Sequence, residues 1–176
     1  MRALPRTMAS IALLLTMLYG AAAHAEVFVT MVGSRQGPLR GDSTTPGRTN
    51  QTVVSAFQYE VRVATDPATG QPLGKRQHSP VTFTKAVGPS SPQLFEAMFQ
   101  NENLSTVTFE FVALTGEGST QVVQRVRLTN AVVSDVRQHA GPLRGTWLED
   151  VSLTFQSITI THVPTGIAAT DSPAAP

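Results

Sequence analysis

The chain has 176 residues, 13 Lys and Arg against 12 Asp and Glu, and no Cys. Those numbers exclude a disulfide scaffold and a Cys-built metal centre. They also exclude a nucleic-acid binder, which needs a surplus of cations to meet phosphates.

Arg2 and Arg6 precede the apolar run "IALLLTMLYGAAA", which ends in Ala23-His24-Ala25. A positive start, an apolar run short of the roughly 20 residues that span a bilayer, and a small-x-small site predict a signal peptide. Residues 1–25 are therefore expected to be removed after Ala25, placing the protein in the periplasm or outside the cell with no stable membrane insertion. The mature chain keeps 151 residues, enough for one domain, with eleven basic side chains against twelve acidic ones.

From Glu26 onward the dominant period is two. "EVFVTMVG" reads as a first strand, and residues 34–52, rich in Gly, Pro, Ser and Thr, as a long loop. "VVSAFQYEVRVAT" predicts one strand with Val53, Phe57, Tyr59, Val61 and Val63 facing in. Gln58, Glu60 and Arg62 take its solvent face. After "TDPATGQPLGKRQHSP", the segment "VTFTKAV" resumes the strand pattern. "GPSSPQLFEAMFQNEN" predicts a short helix: Ser90 and Gln93 are spaced as a capping box, and Pro92 suits a first turn. Leu94 with Met98 and Phe95 with Phe99 would form its apolar stripe.

"STVTFEFVAL", a turn at "TGEGS" and "TQVVQRVRLTNAVVSDV" predict a hairpin. Its inward residues are Val107, Phe109 and Phe111, then Val122, Val126, Leu128 and Val132, with Arg125 and Arg127 outward. "RQHAGPLRGT" reads as a loop and "WLEDVSLTFQSITITHV" as the last strand. Within that strand the inward set Val151, Leu153, Phe155 gives way to Ile158 and Ile160. Such a change of parity marks a bulge or a handover between surfaces. Residues 164–176, "PTGIAATDSPAAP", read as a flexible tail.

Six strands and one helix after the third strand predict a mainly β domain over 26–163, a six-stranded antiparallel barrel of two packed sheets. The three mature His, at 78, 139 and 162, lack acidic partners at ligand spacing, so neither a metal nor another cofactor is expected. An enzyme would need His78 or His139 beside Asp66 or Asp135, yet no nucleophile elbow is present. A ligand-binding barrel would need an open interior, whereas Phe57, Phe109, Phe111 and Phe155 are large enough to fill one. Trp147, the sole Trp, is expected to pack. Asn50 and Asn103 begin sequons of no expected consequence.

Several strings together resemble the haemolysin-coregulated protein family, the tube subunits of bacterial type VI secretion. They are "VFVTMVGSRQG", "EVRVATDPATGQPLGKRQHSPVTFTKAV", "VRLTNAVVSDV" and "LEDVSLTFQSITITHV", covering about residues 27 to 163. The second is the specific one: T-D-P-x-T/S-G-Q-P-x-G-x-R-x-H between two strands. The resemblance implies a homohexameric ring with a wide central hole, rings stacked into a tube, and small effector proteins as cargo in the lumen. It implies a structural role and no catalysis. Asp66, Pro67, Gly70, Gln71, Pro72 and Gly74 would shape an extended loop that reaches toward a neighbouring ring, with Lys75, Arg76 and His78 at its return. Pro and Gly at set places stiffen such an arm and reduce the entropy lost on docking. The chain departs from that family in one respect. Tube subunits assemble in the cytoplasm without a signal peptide, so the first 25 residues imply the same assembly put to use outside the cytoplasm.

Overall fold

A computed structural model of the protein describes residues 26–114 and 119–173. The expected signal peptide, most of the "TGEGS" turn and the last three residues lie outside the described residues. The elements in chain order are β1 (Glu26–Gly33), the two-residue β2 (Gly37–Pro38), β3 (Thr52–Gln58), β4 (Val61–Thr65) and β5 (Pro72–His78). They continue with β6 (Val81–Ala86), helix α1 (Ser90–Phe99), β7 (Asn103–Leu114), β8 (Thr120–Ala140), β9 (Trp147–His162) and β10 (Ile167–Asp171).

Antiparallel pairing runs β9-β6-β3-β1-β7-β8, and β8 pairs back onto β9. This closes a six-stranded barrel and removes the edges that an open sheet would present. The barrel is filled by side chains. Phe109 stands edge-on to Phe57 at 4.9 Å and to Phe83 at 5.3 Å, while Phe57 meets Phe111 at 5.1 Å. Val29, Met31, Val107, Val126, Leu128, Val151 and Leu153 belong to the same core.

The change of parity in β9 is a handover. Register across β8 and β9 is continuous from Gln124↔His162 to Val133↔Leu153. Yet the buried set changes face in three neighbouring strands at once: Leu104 to Val107, Leu128 to Ala131, and Leu153 to Ile158. Asn130 sits at this line in the left-handed region, φ 49°, which Asn tolerates better than most residues. Its side chain accepts from Asn103 Nδ2 at 3.1 Å and donates to Gln156 Oε1 at 2.5 Å, tying the three strands together.

Several expectations are corrected. The segment 53–65 is two strands in two sheets, not one. A register irregularity between Val54 and Ala56 turns Val54, Phe57 and Tyr59 inward and leaves Val53 outside. Beyond Gln58 the chain leaves the barrel, so Val61 and Val63 are exposed. Period-two alternation reports a pleated ribbon but not which sheet the ribbon joins. Strand β8 runs through "RQHA" to Ala140 because Trp147–Asp150 of β9 pairs with Arg137–Ala140. The loop shrinks to residues 141–146. The handover at Asn130 buries Ala131 and Val133 and leaves Val132 half-exposed, while Val122 is half-exposed next to the register irregularity between Phe111 and Val112.

Helix α1 buries Ser90, Ser91, Leu94 and Ala97. The expected stripe fails at Phe99, which is 74% exposed, because the contact row of this ten-residue helix runs through Leu94 and Ala97. The capping box is absent too: Pro89 is the N-cap, and Gln93 Oε1 instead accepts from the Arg40 backbone at 2.8 Å. Finally, the expected tail contains a strand. Residues 167–171 pair with His162 through Ile158, satisfying a stretch of β9 edge that β6 does not reach.

Candidate assembly site

Strands β4 and β5 form a two-stranded ribbon that stands apart from the barrel sheet. Every residue of β4 is exposed, as is every residue of β5 except His78. This ribbon, called the arm below, contains the residues expected in the extended loop. At its tip Asp66 makes three contacts: its N–H donates to Gln71 O at 2.8 Å, its carbonyl accepts from Gly70 N at 2.8 Å, and Oδ1 accepts from Ala68 N at 2.8 Å. The last is an Asx turn, and Pro67 at the next position pre-sets the backbone for it. Gly70 and Gly74 have φ of 69° and 77° with open space where a Cβ would be, so backbone conformation is what favours glycine at both. Pro72 pairs with Thr65 where the return strand begins.

Lys75 points into solvent, whereas Arg76 and His78 turn back onto the barrel. Arg76 binds Asp171 of β10 through two nitrogens, Nε to Oδ2 at 2.7 Å and Nη2 to Oδ1 at 3.0 Å. The imidazole of His78, 4% exposed, lies 3.4 Å from Asp171 Oδ2 through Nε2 and 2.7 Å from the Tyr59 hydroxyl through Nδ1. The tautomer of His78 sets which of Nδ1 and the Tyr59 hydroxyl donates in the shorter contact. Tyr59 stacks on His78 at 6.2 Å, and Phe155 closes the cluster edge-on at 6.1 Å from His78. Burial, with the Asp171 charge adding, holds the Tyr59 phenol above its ordinary pKa. The Ser172 backbone N–H, helped by Arg76 and His78, holds the Asp171 carboxyl below the usual carboxylate range although burial opposes it.

The nine residues expected in the arm thus divide between two places. Asp66, Pro67, Gly70, Gln71, Pro72, Gly74 and Lys75 build the protruding part, while Arg76 and His78 belong to its root. Tyr59 and Asp171 complete that root and were not among the expected site residues. The available signal was that Asp171 is the only charge in residues 164–176. The carboxylate beside His78 is Asp171, and that beside His139 is Asp150 at 3.4 Å. Trp147, expected to pack, is 61% exposed and walls a shallow groove of about 460 Å³ with Val87 and Leu148. Among the described residues no three His, Asp or Glu side chains cluster as a metal would need, and no helix is long and apolar enough to cross a membrane.

Comparison with known proteins places this architecture. The family model described as "Type VI secretion system effector, Hcp" matches residues 28–162. The "Major exported protein" of Pseudomonas aeruginosa PAO1 is 30% identical over 159 residues, covering 82% of this chain and 92% of that protein. Among solved structures, a crystal structure of an Hcp protein superposes with a TM-score of 0.79 at 22% identity, covering 87% of this chain and all of the other. A mutant of the Hcp1 protein from E. coli gives 0.78 at 25% identity, covering 85% of this chain and 99% of the other. The chain belongs to the Hcp family of type VI secretion system proteins.

Proposed function

We propose that the protein is a structural subunit that closes with five further copies into a ring and stacks ring on ring through the arm. The carrying observation is the arm itself. It is a ribbon of two strands with Val61, Val63 and Leu73 46%, 42% and 52% exposed, stiffened by its Asx turn and fastened only at its root. An isolated two-stranded ribbon is at best marginally stable in water. A ribbon that shows three large aliphatic side chains to solvent gains by lying against another surface. A head-to-tail stack is a heterologous contact that does not close on itself, so each subunit offers its arm once and receives one arm. Export through the first 25 residues puts the assembly in the periplasm or outside the cell, and small effector proteins are the cargo that suits its lumen.

Electron microscopy and sedimentation of the chain beginning at Glu26 test the reading. Rings, and stacks that disappear when residues 63–74 are replaced by a short Gly-Ser turn, are the expected result. A homogeneous monomer at high concentration, or stacking untouched by the replacement, would end it. Mass determination of the N-terminus on protein from its native cell tests export separately: Glu26 as first residue is expected, and an intact Met1 refutes it.

A further inference from the structure

The arm root contains a contact that the barrel does not need. Arg76 and His78 come from β5, Tyr59 from the chain just before β4, and Asp171 from the last strand. Two residues of β5 thus meet the carboxylate of a strand far later in the chain, and Tyr59 joins them through His78. We propose that Asp171 is a latch: the C-terminal strand fixes the angle at which the arm leaves the barrel, and the arm docks productively only while latched.

Two structural facts carry this. First, among the described residues the arm's direction is otherwise restrained only at His78, whose ring meets Tyr59 and Phe155 but which is a single-residue contact without the fixed fork of Arg76. Its strands pair only with each other, and the return to the barrel is closed by a single backbone bond, Ser79 N to Glu60 O at 2.9 Å. Second, β10 has almost no packing reason of its own to lie where it does. Its first four residues are exposed, Ile167 by 71%, and it buries no apolar side chain. Its ladder with β9 places Asp171 opposite Ile158, at the level of the arm root. A bidentate guanidinium–carboxylate pair fixes direction as well as distance, which a single point contact does not. A hinge held at one angle reaches its docking partner with less entropy to lose. Asp171 acts through the arm and touches no partner, so it is a positioning residue.

The inference rests on the reading of the arm as the contact between rings, and the experiment separates the two. In the full mature chain, Asp171→Asn, Arg76→Gln and the conservative Asp171→Glu are compared by amide hydrogen exchange on dispersed subunits, and by stack length in electron micrographs. In the first two variants the arm amides over 61–78 should exchange roughly two- to fivefold faster, the range for a partly exposed ion pair. The β1 and β7 amides should not change. Stacks should shorten, and Asp171→Glu should fall between those variants and the parent. Arm exchange unchanged in Asp171→Asn overturns the latch. Faster arm exchange with stacks of parental length overturns its coupling to docking. Failure of the arm replacement to alter stacking would instead condemn the arm reading and leave the exchange result standing.

Discussion

Lys85→Met should be the most damaging single change among the polar residues of the core. Lys85 and Glu149 are 1% and 0% exposed and face one another across β6 and β9. The Lys85 ammonium donates to Glu149 Oε1 at 2.6 Å, to the Ala86 carbonyl at 2.8 Å and to Ser91 Oγ at 3.1 Å. Glu149 also accepts from Ser91 Oγ at 2.9 Å and from Gln138 Nε2 at 3.1 Å. Removing the cation leaves a buried carboxylate with two neutral donors. Breaking one side of such a pair costs about 3–5 kcal/mol, because the remaining charge is uncompensated. For a domain of this size each kcal/mol lowers Tm by about 2–4 °C, so the drop should be roughly 6–20 °C. Lys85→Met combined with Glu149→Gln removes the stranded charge: the new amide oxygen accepts from one neighbour, and its NH2 donates to the Ser91 hydroxyl or to the Gln138 amide turned over. The double variant should be more stable than Lys85→Met alone. Urea denaturation of dispersed subunits, with the slope m checked for constancy, measures both. A Lys85→Met loss within about 0.5 kcal/mol of parent, the scale of a surface substitution, would refute the reasoning. So would a double variant whose loss equals the sum of the two single losses.

Phe109→Ala removes a fully buried ring from between Phe57 and Phe83 and should cost about 3–5 kcal/mol in the same titration. In Gly41→Ala the new Cβ would collide with the Gln51 backbone, which cannot swing aside as a side chain can. A loss of about 1–3 kcal/mol is expected, with faster amide exchange along residues 39–52. Glu102, 1% exposed, accepts from the backbone N–H groups of Gln36 at 2.9 Å and Arg35 at 2.6 Å. The Gln36 backbone bond is the largest influence. Helped by the Gln36 side chain and Arg35, it outweighs burial and holds the carboxyl below the usual carboxylate range. A lowered folded pKa gives stability that is complete above the ordinary Glu value and is lost as pH falls through the folded one. Glu102→Gln should therefore narrow its deficit from parent on acidification, as denaturation at neutral and acid pH will reveal.

Much of the barrel was legible because burial on one face writes itself as alternation. Val151, Leu153, Phe155 and the switch to Ile158 and Ile160 were read from residue order and stand as read. What alternation cannot say is what lies across the fold. In "VTFTKAV", Lys85 has the inward parity of Val81 and Phe83, and in "WLEDV", Glu149 has that of Val151. Two opposite charges at inward positions are mutually explanatory only once β6 is known to pair with β9 at Lys85↔Glu149. The arm was legible as a loop with turn chemistry at Asp66 and Gly70. Its root was not, because Asp171 lies in a stretch of Ala, Thr, Ser and Pro that has no apolar pattern to announce a strand. Strand β10 exists because β9 outruns β6 and leaves an edge to be satisfied, a fact about the partner and not about β10 itself.

The same division separates folding from assembly. The barrel closes within one chain, and among the described residues every buried side-chain polar atom has a hydrogen-bond partner. A core of that kind does not need a second copy for its stability. The arm contributes nothing to that core, since its apolar side chains Val61, Val63 and Leu73 all face solvent. Changes in the core should therefore move denaturation midpoints of dispersed subunits, while changes in the arm or at Asp171 should leave them in place and alter how subunits associate. Coupling between the two would require a contact that carries arm position into the barrel. Two residues offer it: Tyr59 and Phe155 both meet His78 on one side and pack against the core on the other. If arm variants shift the midpoint at all, the shift should shrink when Tyr59→Phe removes the hydroxyl that holds His78, and vanish only when Phe155→Leu is added to remove the second ring contact.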